Sequence, residues 1–476
     1  MTEFHEDRYF DPDPTIRKHA RELYDETRAL PIVSPHGHVD AALLASNQAF
    51  SDPASLIVTS DHYILRLLYS RGVPLESLGV APIDGAPPSA EKDPRKIWQT
   101  FADHWHLFRA TPTQAWIEYE LRDVFGIKFR LDSESATKIY DSIAERLDLA
   151  EFRPRALLKR FNIEVLATTD GASDSLEHHR TLREAKLPAR IIPTFRPDAL
   201  FRIGSPSWRP EVQRLGKVIG REIKKYRDLL GAIEQRRAEF KAAGATATDH
   251  AVVSARTERL KDGEIDRLFF SAIRGTATEE DQSRFEAHLL MEMAAQSVED
   301  GLVMQVHAGA LRNHNEMVHR RFGPDRGGDI PVATEFTRNL RPLLNAYGND
   351  SRFRLIVFTL DESAYSRELA PLAGHYPAML LGAPWWFHDS IEGMMRFRRA
   401  TTETAGIENT AGFTDDTRAF CSIPARHDLA RRVDANYLGG LVARHVIDMP
   451  DAREMAKAMA YDLAKRAYRL TDEAGQ

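Results

Sequence analysis

The sequence contains a single cysteine, Cys421, among 476 residues, so no disulfide can form within the chain. Disulfides are typical of oxidising compartments, and their absence favours a reducing cytoplasm. The chain also has no apolar run approaching the roughly 20 residues that a membrane-spanning helix needs. Its first residues, MTEFHED, are polar and acidic, unlike a signal peptide. We therefore expect a soluble, cytoplasmic protein with no membrane partner.

An excess of positive charge is missing as well. The 64 lysines and arginines are outnumbered by 70 aspartates and glutamates, which gives a net charge of −6. Binding of nucleic acid usually requires a basic patch, so we expect no nucleic-acid partner. The chain also lacks a glycine-rich phosphate loop and the Gly-x-Ser-x-Gly turn of serine hydrolases. The remaining composition, 43% hydrophobic and 28% charged, is that of an ordinary globular protein.

Short apolar runs that end in polar residues recur along the chain. Parallel strands covered by helices read as continuous Val/Ile/Leu segments. About eight candidate strands of this kind occur, at 31–34, 164–168, 190–194, 251–254, 302–306, 355–360, 379–381 and 410–413. In a (β/α)₈ barrel the catalytic groups sit at the carboxyl ends of the strands. The pattern therefore predicts such a barrel, although periodicity alone leaves a doubly wound sheet open.

Helical patterns fill the intervals between these candidate strands, and two of the intervals are too long for simple connections. We predict an N-terminal helix and first barrel strand in residues 1–40, a helical insertion in 41–160, and the remainder of the barrel in 161–476, with a helical insertion at about 205–300. One apolar stripe from Val212 to Ile233 predicts a single helix. Asp174 precedes Glu177 by three residues and is predicted to cap another helix.

The sharpest local motif is His36-Gly37-His38, at the end of the first candidate strand. In an extended chain, residues i and i+2 face the same side, so both imidazoles can point at one ion, and glycine lets the backbone approach closely. His307 ends another candidate strand, and Asp415 and Asp416 end the last one. A carboxylate opposite two imidazoles would complete a site for zinc or another divalent metal. Ordinary polar histidines and a helix-capping aspartate are the alternative interpretation.

Other side chains at strand ends and in the first insertion suit an anionic substrate. Arg196 and Arg418 follow candidate strands, and a guanidinium matches a carboxylate at two points. Structural ion pairing is the alternative for either arginine. His62 and Tyr63 could transfer protons if the first insertion folds over the barrel mouth. Trp385 offers an aromatic face that could line a pocket or fill the core.

Seven segments together resemble those of uronate isomerases, a divergent branch of the amidohydrolase superfamily. They are SPHGHVD (34–40), SDHYILRLLYSRG (60–72), TTDGASDSLEHH (168–179), PTFRPD (193–198), VHAGALRNHN (306–315), PWWFHD (384–389) and DTRAFCS (416–422). The resemblance implies a distorted TIM-type barrel with helical insertions. It also implies a small-molecule hexuronate substrate, with D-glucuronate converted to D-fructuronate and D-galacturonate to D-tagaturonate. The oligomeric state, including a homo-oligomer, stays open.

The resemblance also implies roles for single residues. His36, His38 and Asp416 match the ligands of one divalent metal ion, for which zinc is our prediction. Asp416 is a candidate for moving the proton as well, together with His62 and Tyr63. The predicted substrate contacts are Arg196, Arg418, His307 and Trp385.

One departure from the family pattern concerns the last strand. Members commonly show Thr-Asp-Ser-Arg there, whereas this chain has Thr-Asp-Asp-Thr-Arg at 414–418. Keeping the Asp-x-Arg spacing selects Asp416, and keeping the Thr-Asp contact selects Asp415. We favour Asp416, because a two-residue step places its carboxylate and the Arg418 guanidinium on one side of an extended chain.

Two other functions use the same residues. A metal-dependent hydrolase of the same superfamily would activate water, often with two metals and an added lysine or glutamate ligand at the fourth strand. The chain has only Thr-Asp-His at 248–250 there, which disfavours a second metal. A non-catalytic sensor of sugar acids would need no metal ligands, and the His-Gly-His and Asp-x-Arg motifs argue against it.

Overall fold

The computed structural model describes residues 4–85 and 87–470. Residues 1–3 and 471–476, at the outer ends of the first and last predicted segments, and residue 86 in the first predicted insertion lie outside the described residues. The strands are β1 Ile32–Ser34, β2 Ile163–Ala167, β3 Asp170–Gly171, β4 Arg190–Ile192, β5 Phe195–Arg196, β6 Ala247–Val252, β7 Val303–Ala308, β8 Ala310–Leu311, β9 Ile330–Pro331, β10 Leu355–Thr359 and β11 Met379–Leu381.

Helices occupy most of the intervals between the strands. The α-helices are α1 Pro14–Thr27, α2 Ala41–Ser46, α3 His62–Tyr69, α4 Pro94–Asp103, α5 Pro112–Tyr119, α6 Ala136–Leu147, α7 Pro154–Arg160, α8 Glu177–Glu184, α9 Asp198–Phe201, α10 Trp208–Ile219, α11 Tyr226–Ala242, α12 Asp262–Arg274, α13 Glu279–Asp300, α14 Glu316–Phe322, α15 Arg341–Tyr347, α16 Ala370–Ala373, α17 Ile391–Ala405, α18 Ile423–Ala443, α19 Met449–Lys457 and α20 Leu463–Ala467. Short 3₁₀ turns span Leu75–Leu78, Trp105–Phe108, Ala150–Phe152, Trp386–His388 and Phe420–Ser422. Single π turns span Ser55–Thr59, Glu120–Val124, Tyr365–Leu369 and Ala458–Asp462.

The longer strands form parallel sheets, and their order in space follows their order in the chain. One sheet has the order β1-β2-β4, and the other has the order β11-β10-β7-β6-β5-β3. β8 and β9 form a separate antiparallel pair. All pairings within the two larger sheets are parallel. The protein is therefore an α/β structure whose parallel strands direct their carboxyl ends to the same edge.

The two larger sheets are joined where β2 leads into β3 and β4 leads into β5. Thr168 donates its backbone N–H to Ile192, and Thr194 donates to Thr168, at 2.9 and 3.0 Å. At the other end, Leu381 of β11 forms an isolated parallel bridge with Thr410. The N–H of His38, just after β1, bonds the carbonyl of Thr417 at 3.0 Å. The first strand and the segment after the last strand are thus neighbours.

Two of the predicted strands are placed differently in the structure. The strand predicted at 251–254 is wrong, because β6 runs from Ala247 to Val252 and includes Asp249 and His250. The strand predicted at 410–413 is reduced to the single bridge at Thr410. The apolar pattern does not indicate the true start of β6, because the buried polar residues at 248–250 interrupt the apolar run.

Two predicted helix features are also wrong. The single helix expected from Val212 to Ile233 is two helices, α10 and α11. Gly220 ends α10 with φ of 73°, a left-handed conformation that glycine adopts without strain. Asp174 does not cap α8; its carboxylate accepts the backbone N–H of Gly171 at 2.6 Å instead.

The range 41–160 contains α2 to α7 and, within the described residues, no strand. The range 205–300 contains α10 to α13 but also β6, which belongs to the second sheet. None of the helices in residues 4–85 and 87–470 combines the length and the apolar character that crossing a bilayer takes. Cys421 is buried, as expected for a small apolar side chain.

Alternate residues of successive strands meet in one buried apolar cluster. Its strand members are Val33, Val165, Ala167, Ile192, Ala247, Val303, Ile356, Phe358 and Leu380. Leucines and alanines of α18 and α20 pack against the same cluster. Tyr468, just after α20, is fully buried and donates its hydroxyl to Gln305 of β7 at 2.9 Å. The last helices therefore close this core.

Close packing around β10 generates a stability prediction. The ring of Phe358 stacks on His307 with centroids 4.1 Å apart. A Cβ atom on Gly382 would lie 2.5 Å from Cγ and 2.6 Å from Cε1 of that ring. We predict that Gly382→Ala lowers the free energy of unfolding by about 1–3 kcal/mol, because the ring must move within a packed core.

Gly440→Ala is the matched control, because a Cβ there meets nothing within 4 Å and the residue lies inside α18. This control should leave stability unchanged or raise it. Denaturant unfolding measures both variants. Equal unfolding midpoints for the two would contradict the packing described here.

Candidate functional site

The two histidines of the His-Gly-His motif lie just beyond the carboxyl end of β1. His36 is buried, whereas 28% of the His38 side chain is exposed. Their ring centroids are 5.3 Å apart and the rings are nearly perpendicular. A Cβ on Gly37 would make only ordinary contacts, the nearest at 3.5 Å. The close backbone approach expected of this glycine is therefore not needed.

The carboxylate of Asp416 faces this histidine pair. Its Oδ1 lies 3.1 Å from His38 Nε2 and 3.4 Å from His36 Nε2. Asp416 has φ of 37°, in the left-handed region that aspartate tolerates better than most residues. Asp415 turns away, and its Oδ2 lies 3.0 Å from His427 Nε2. The structure thus brings Asp416, rather than Asp415, to the two histidines.

His307, in β7, adds a third imidazole to the cluster. Its ring stacks on His36 with centroids 4.7 Å apart. One ligand atom from each of His36, His307 and Asp416 lies within 4.8 Å of the other two. The Nε2 atom of His307 is buried without a hydrogen-bond partner among the described residues. His307, predicted as a substrate contact, therefore lies within the cluster of side chains that could hold a metal ion.

Asp249 is a central residue that the sequence reasoning missed. It is buried within β6, and its Oδ1 lies 2.6 Å from His307 Nδ1. Its Oδ2 lies 3.4 Å from Arg196 Nε. A signal existed, because Asp249 shares a strand face with the apolar Ala247. The predicted strand begins at residue 251, four residues after the observed start of β6, so it does not include Ala247 or Asp249.

Electrostatics within this cluster favour an ionised acid beside mainly neutral rings. Burial opposes ionisation of Asp416, but the imidazoles of His36 and His38 prevail and hold the pKa of its carboxyl well below the usual range. Burial also opposes protonation of His36, yet the Asp249 and Asp416 carboxylates raise its pKa. In His38 burial prevails and lowers the pKa.

Arg196 follows β4 as part of β5 and is held by two acids. Its Nε lies 2.7 Å from Asp198 Oδ2, in addition to the contact with Asp249. Burial opposes its charge, but the carboxylates of Asp198 and Asp249 keep the pKa of the guanidinium above its ordinary value. Arg418 is held more loosely, with Nη2 3.4 Å from Asp325 Oδ2. Both predicted arginines line the same cavity as the histidine cluster.

The predicted proton-transfer pair comes from the start of α3. Asp61 caps this helix by accepting the N–H of Tyr63 at 2.7 Å, which fixes the position of His62 and Tyr63. Trp386 donates its indole N–H to His62 Nε2. Burial, with the charge of Arg418 second, lowers the pKa of His62 to about 3. Burial raises the pKa of Tyr63 well above its usual value, and Arg426 opposes that rise.

Trp385 and Trp386 form an aromatic wall of the site. Trp385 is buried and meets His307 edge to face, with centroids 4.8 Å apart. The two indoles stack at 5.6 Å. Trp385 therefore supports the histidine cluster, and both tryptophans line the cavity.

A buried ion pair between Arg426 and Asp389, close to the Tyr63 ring, is also not predicted by the sequence. Arg426 of α18 is buried, and its Nη1 lies 2.5 Å from Asp389 Oδ2. Its guanidinium lies 3.6 Å from the centroid of Trp116 and 5.5 Å from that of Tyr63. Arg426 belongs to a helix rather than to a strand end, so a pattern of polar residues at strand ends does not predict it.

These residues surround a cavity of about 450 Å³ at the carboxyl ends of the strands. Its wall carries all nine predicted site residues, which are His36, His38, His62, Tyr63, Arg196, His307, Trp385, Asp416 and Arg418. Arg202, Arg312 and Arg426 add further positive charge, and several aspartates add acceptors. A polar cavity of this size suits a small molecule with many hydroxyl groups, and its arginines can bind a carboxylate.

The chain is similar to known proteins over nearly its whole length. A family profile described as glucuronate isomerase matches residues 1–468. A uronate isomerase of Nostoc punctiforme is 55% identical over 465 residues, covering 98% of each chain. The crystal structure of glucuronate isomerase from Caulobacter crescentus has a TM-score of 0.96 at 47% identity, over 99% of this chain and 98% of that one. A protein from Lactobacillus casei described as a metal-dependent hydrolase shares the fold alone, with a TM-score of 0.55 at 12% identity over 95% of this chain and 99% of that one.

The parallel strands, with a polar cavity at their carboxyl ends, define an α/β enzyme that acts on small molecules. The matches over the whole length define the class more closely. The chain belongs to the glucuronate isomerase family. It is accordingly an enzyme of the aldose–ketose isomerase type.

A buried acid close to the site generates a pH prediction. Glu120 is 5% exposed, and burial, reinforced by the nearby Asp61, raises its pKa to about 8. The folded protein then keeps a proton that the unfolded chain loses near pH 4.5. Stability should therefore fall as the pH rises from about 4.5 to about 8.

Glu120→Gln keeps the shape and removes the ionisation, so this variant should lose that part of the pH dependence and be more stable than wild type at pH 9. The exposed Glu145→Gln is the control, and it should follow the wild-type curve. Thermal unfolding at pH 5, 7 and 9 measures the effect. Parallel curves for wild type and Glu120→Gln would show that Glu120 is ionised in the folded state.

Proposed function

We propose that this enzyme interconverts the aldose and ketose forms of hexuronates, D-glucuronate with D-fructuronate and D-galacturonate with D-tagaturonate. The observation that carries this proposal is the convergence of His36, His307 and Asp416 in a cavity lined by arginines. The family supports the reaction class, and the loosely paired Arg418 in the cavity wall offers a binding partner for the carboxylate of the substrate.

We further propose that the sheets close into a distorted (β/α)₈ barrel. Three features support closure: strand order that follows the sequence, the Leu381–Thr410 bridge, and the bond from His38 to Thr417. The single apolar cluster shared by alternate residues of the strands is the packing expected inside such a barrel. The ranges 41–160 and about 205–300 are its helical insertions in this proposal.

The residues of the cluster fit a divalent metal ion. The unpartnered Nε2 atom of His307 is costly in a buried site unless something compensates it, and the ionised Asp416 carboxylate lies in the same cluster. Imidazole and carboxylate together form a ligand set that zinc accepts. We propose that His36, His307 and Asp416 hold one zinc ion, with His38 as a further ligand 3.1 Å from the Asp416 carboxylate.

Asp249 orients His307 in this arrangement. It accepts the Nδ1–H of His307 at 2.6 Å, so the lone pair of the neutral ring is on Nε2. The pKa of Asp249 is held well below its usual value by His307 and Arg196, which outweigh burial. Asp249 therefore stays ionised and keeps His307 in the tautomer that can bind a metal.

A bound divalent ion would act as a Lewis acid that stabilises negative charge on the substrate oxygens. The protein supplies binding and orientation. Arg418, loosely paired, can bind the hexuronate carboxylate, and Arg196 can donate to a substrate oxygen while its acids keep it in place. Helix α3 brings His62 and Tyr63 to the same cavity, which keeps the reacting carbons away from bulk water.

The proton moves from C2 to C1 through an enediol in this proposal. Asp416, ionised and part of the cluster, takes the proton from C2 while O1 gains a proton, which gives the enediol. O2 then loses its proton, the C2=O bond forms, and C1 receives the proton held by Asp416. Tyr63 keeps its proton at neutral pH and can donate a hydrogen bond to a substrate oxygen. His62 is neutral, and because its Nε2 accepts from Trp386, its proton is on Nδ1.

The proposed reaction has a direct test in deuterium oxide. The purified enzyme should convert D-glucuronate or D-galacturonate to the ketose, as followed by NMR, and solvent deuterium should appear at C1 of the product. Conversion without deuterium would mean that the hydrogen passes from C2 to C1 without solvent exchange, by a hydride shift or by a base that water does not reach. No conversion of any uronate in a broad panel would contradict the function.

Arg196→Met tests the substrate site. It should reduce kcat/KM on uronates by at least about tenfold, because a charged hydrogen-bond donor is lost. Arg196→Lys is the matched control and should fall between Arg196→Met and wild type. Circular dichroism and Tm check that the fold survives the loss of the Asp198 and Asp249 pairs. Unchanged kinetics would remove Arg196 from the substrate site.

A further inference from the structure

Five arginines of the described residues line the cavity, and their ion pairs differ in length and in exposure to solvent. Three of them form short ion pairs, at 2.7 Å for Arg196–Asp198, 2.8 Å for Arg312–Asp329 and 2.5 Å for Arg426–Asp389. The first two distances are typical of charge-assisted hydrogen bonds, and the Arg426–Asp389 contact is also short. The three guanidinium groups are therefore committed to the wall of the site.

Arg418 is paired differently. Its Nη2 lies 3.4 Å from Asp325 Oδ2, well beyond the usual length of a charge-assisted hydrogen bond. The side chains are 35% and 46% exposed, which weakens the pair further through solvent screening. Arg418 lines the same cavity as Asp416, which belongs to the proposed metal site. Its acidic partner is the one that a ligand could displace most easily.

The position of Asp325 is built into the fold. It follows α14 in a segment that contributes Pro324, Asp325 and Asp329 to the cavity wall. In this segment Gly327 has φ of 78° and packs on α3, where a Cβ would lie 2.9 Å from the carbonyl oxygen of His62. The segment is thus seated on the helix that carries His62. Asp325 has φ of 60°, a conformation that aspartate and asparagine both tolerate.

We propose that the Asp325 carboxylate competes with the substrate carboxylate for Arg418 and so sets the affinity for hexuronates. This inference rests on the proposed function. A carboxylate bound at two points to the Nη1 and Nη2 edge of the guanidinium would take the Nη2 atom that faces Asp325, so Arg418 cannot hold both acids through that edge. Binding of a hexuronate therefore includes the cost of releasing Asp325.

The competition acts equally on substrate and product, because both isomers keep the same carboxylate. Uniform weakening of both bound states raises KM in each direction and leaves the step between them unchanged. Asp325 would thus favour product release. Its removal should lower KM for aldose and ketose alike, with little change in kcat where chemistry limits turnover.

Arg202 offers a rival position for the substrate carboxylate. It lines the cavity, is exposed, and forms no ion pair with any residue of the described chain. A carboxylate bound at Arg202 would not sense Asp325. Arg202→Met is therefore the control that separates the two positions.

The test measures binding rather than turnover. The probe is L-gulonate, which keeps the carboxylate of D-glucuronate but has an alcohol in place of the aldehyde and cannot isomerise. Calorimetry on the purified full-length protein compares wild type with Asp325→Asn, which keeps the backbone conformation and removes the charge. We expect the Kd for L-gulonate to fall about 2–5-fold. The neutral polyol D-glucitol should bind both proteins equally.

A double variant shows whether the gain acts through Arg418. In an Arg418→Met background, Asp325→Asn should no longer improve L-gulonate binding, because no guanidinium is released. A gain of the same size in that background would mean general electrostatics and would overturn the proposal. So would an unchanged or higher Kd in Asp325→Asn alone, a larger loss from Arg202→Met than from Arg418→Met, or no measurable L-gulonate binding by wild type.

Failure of this inference is distinguishable from failure of the proposed function. An enzyme that converts uronates but shows no effect of Asp325→Asn keeps its function and loses the competition. A protein that converts no uronate but binds L-gulonate more tightly after Asp325→Asn loses the function and keeps the competition at Arg418.

Discussion

The buried carboxylate of Asp416 facing the imidazoles of His36 and His38 is the interaction on which the site depends. An ionised acid out of water needs polar or positively charged partners, and the imidazole nitrogens of His36 and His38 lie within 3.4 Å of the Asp416 carboxylate. The three side chains come from opposite ends of the chain, and the bond between His38 and Thr417 holds those ends together. The contact between the start and the end of the sheet region therefore also assembles the site.

The side chains around this contact differ in how closely their neighbours hold them in place. His307 is locked between Asp249 and the ring of Phe358, so one wall of the cavity is rigid. The opposite wall is supplied by helix α3 and by the segment that carries Asp325, whose pair with Arg418 is long and exposed. A fixed position of His307 suits the isomerisation step. The long, exposed pair between Arg418 and Asp325 suits the binding and release of an anion.

Much of this arrangement could be predicted from the sequence, because strand-end polarity is a local signal. His36, His38 and Asp416 were found through their spacing, and His307 through its place after an apolar run. Asp249 was missed because a polar stretch displaced the predicted strand. Arg426 was missed because it reaches the cavity from a helix, and its partner Asp389 lies far away in the chain. Contacts of that kind arise from packing, which no local pattern encodes.

The central claim is that one divalent ion is held between His36, His307 and Asp416. The most direct measurement is metal analysis of the purified protein combined with anomalous diffraction from its crystals. We predict about one ion per chain and an anomalous peak bounded by these three side chains, both lost in His36→Ala. Full activity after exhaustive chelation, or a stoichiometric ion bound elsewhere, would contradict the account.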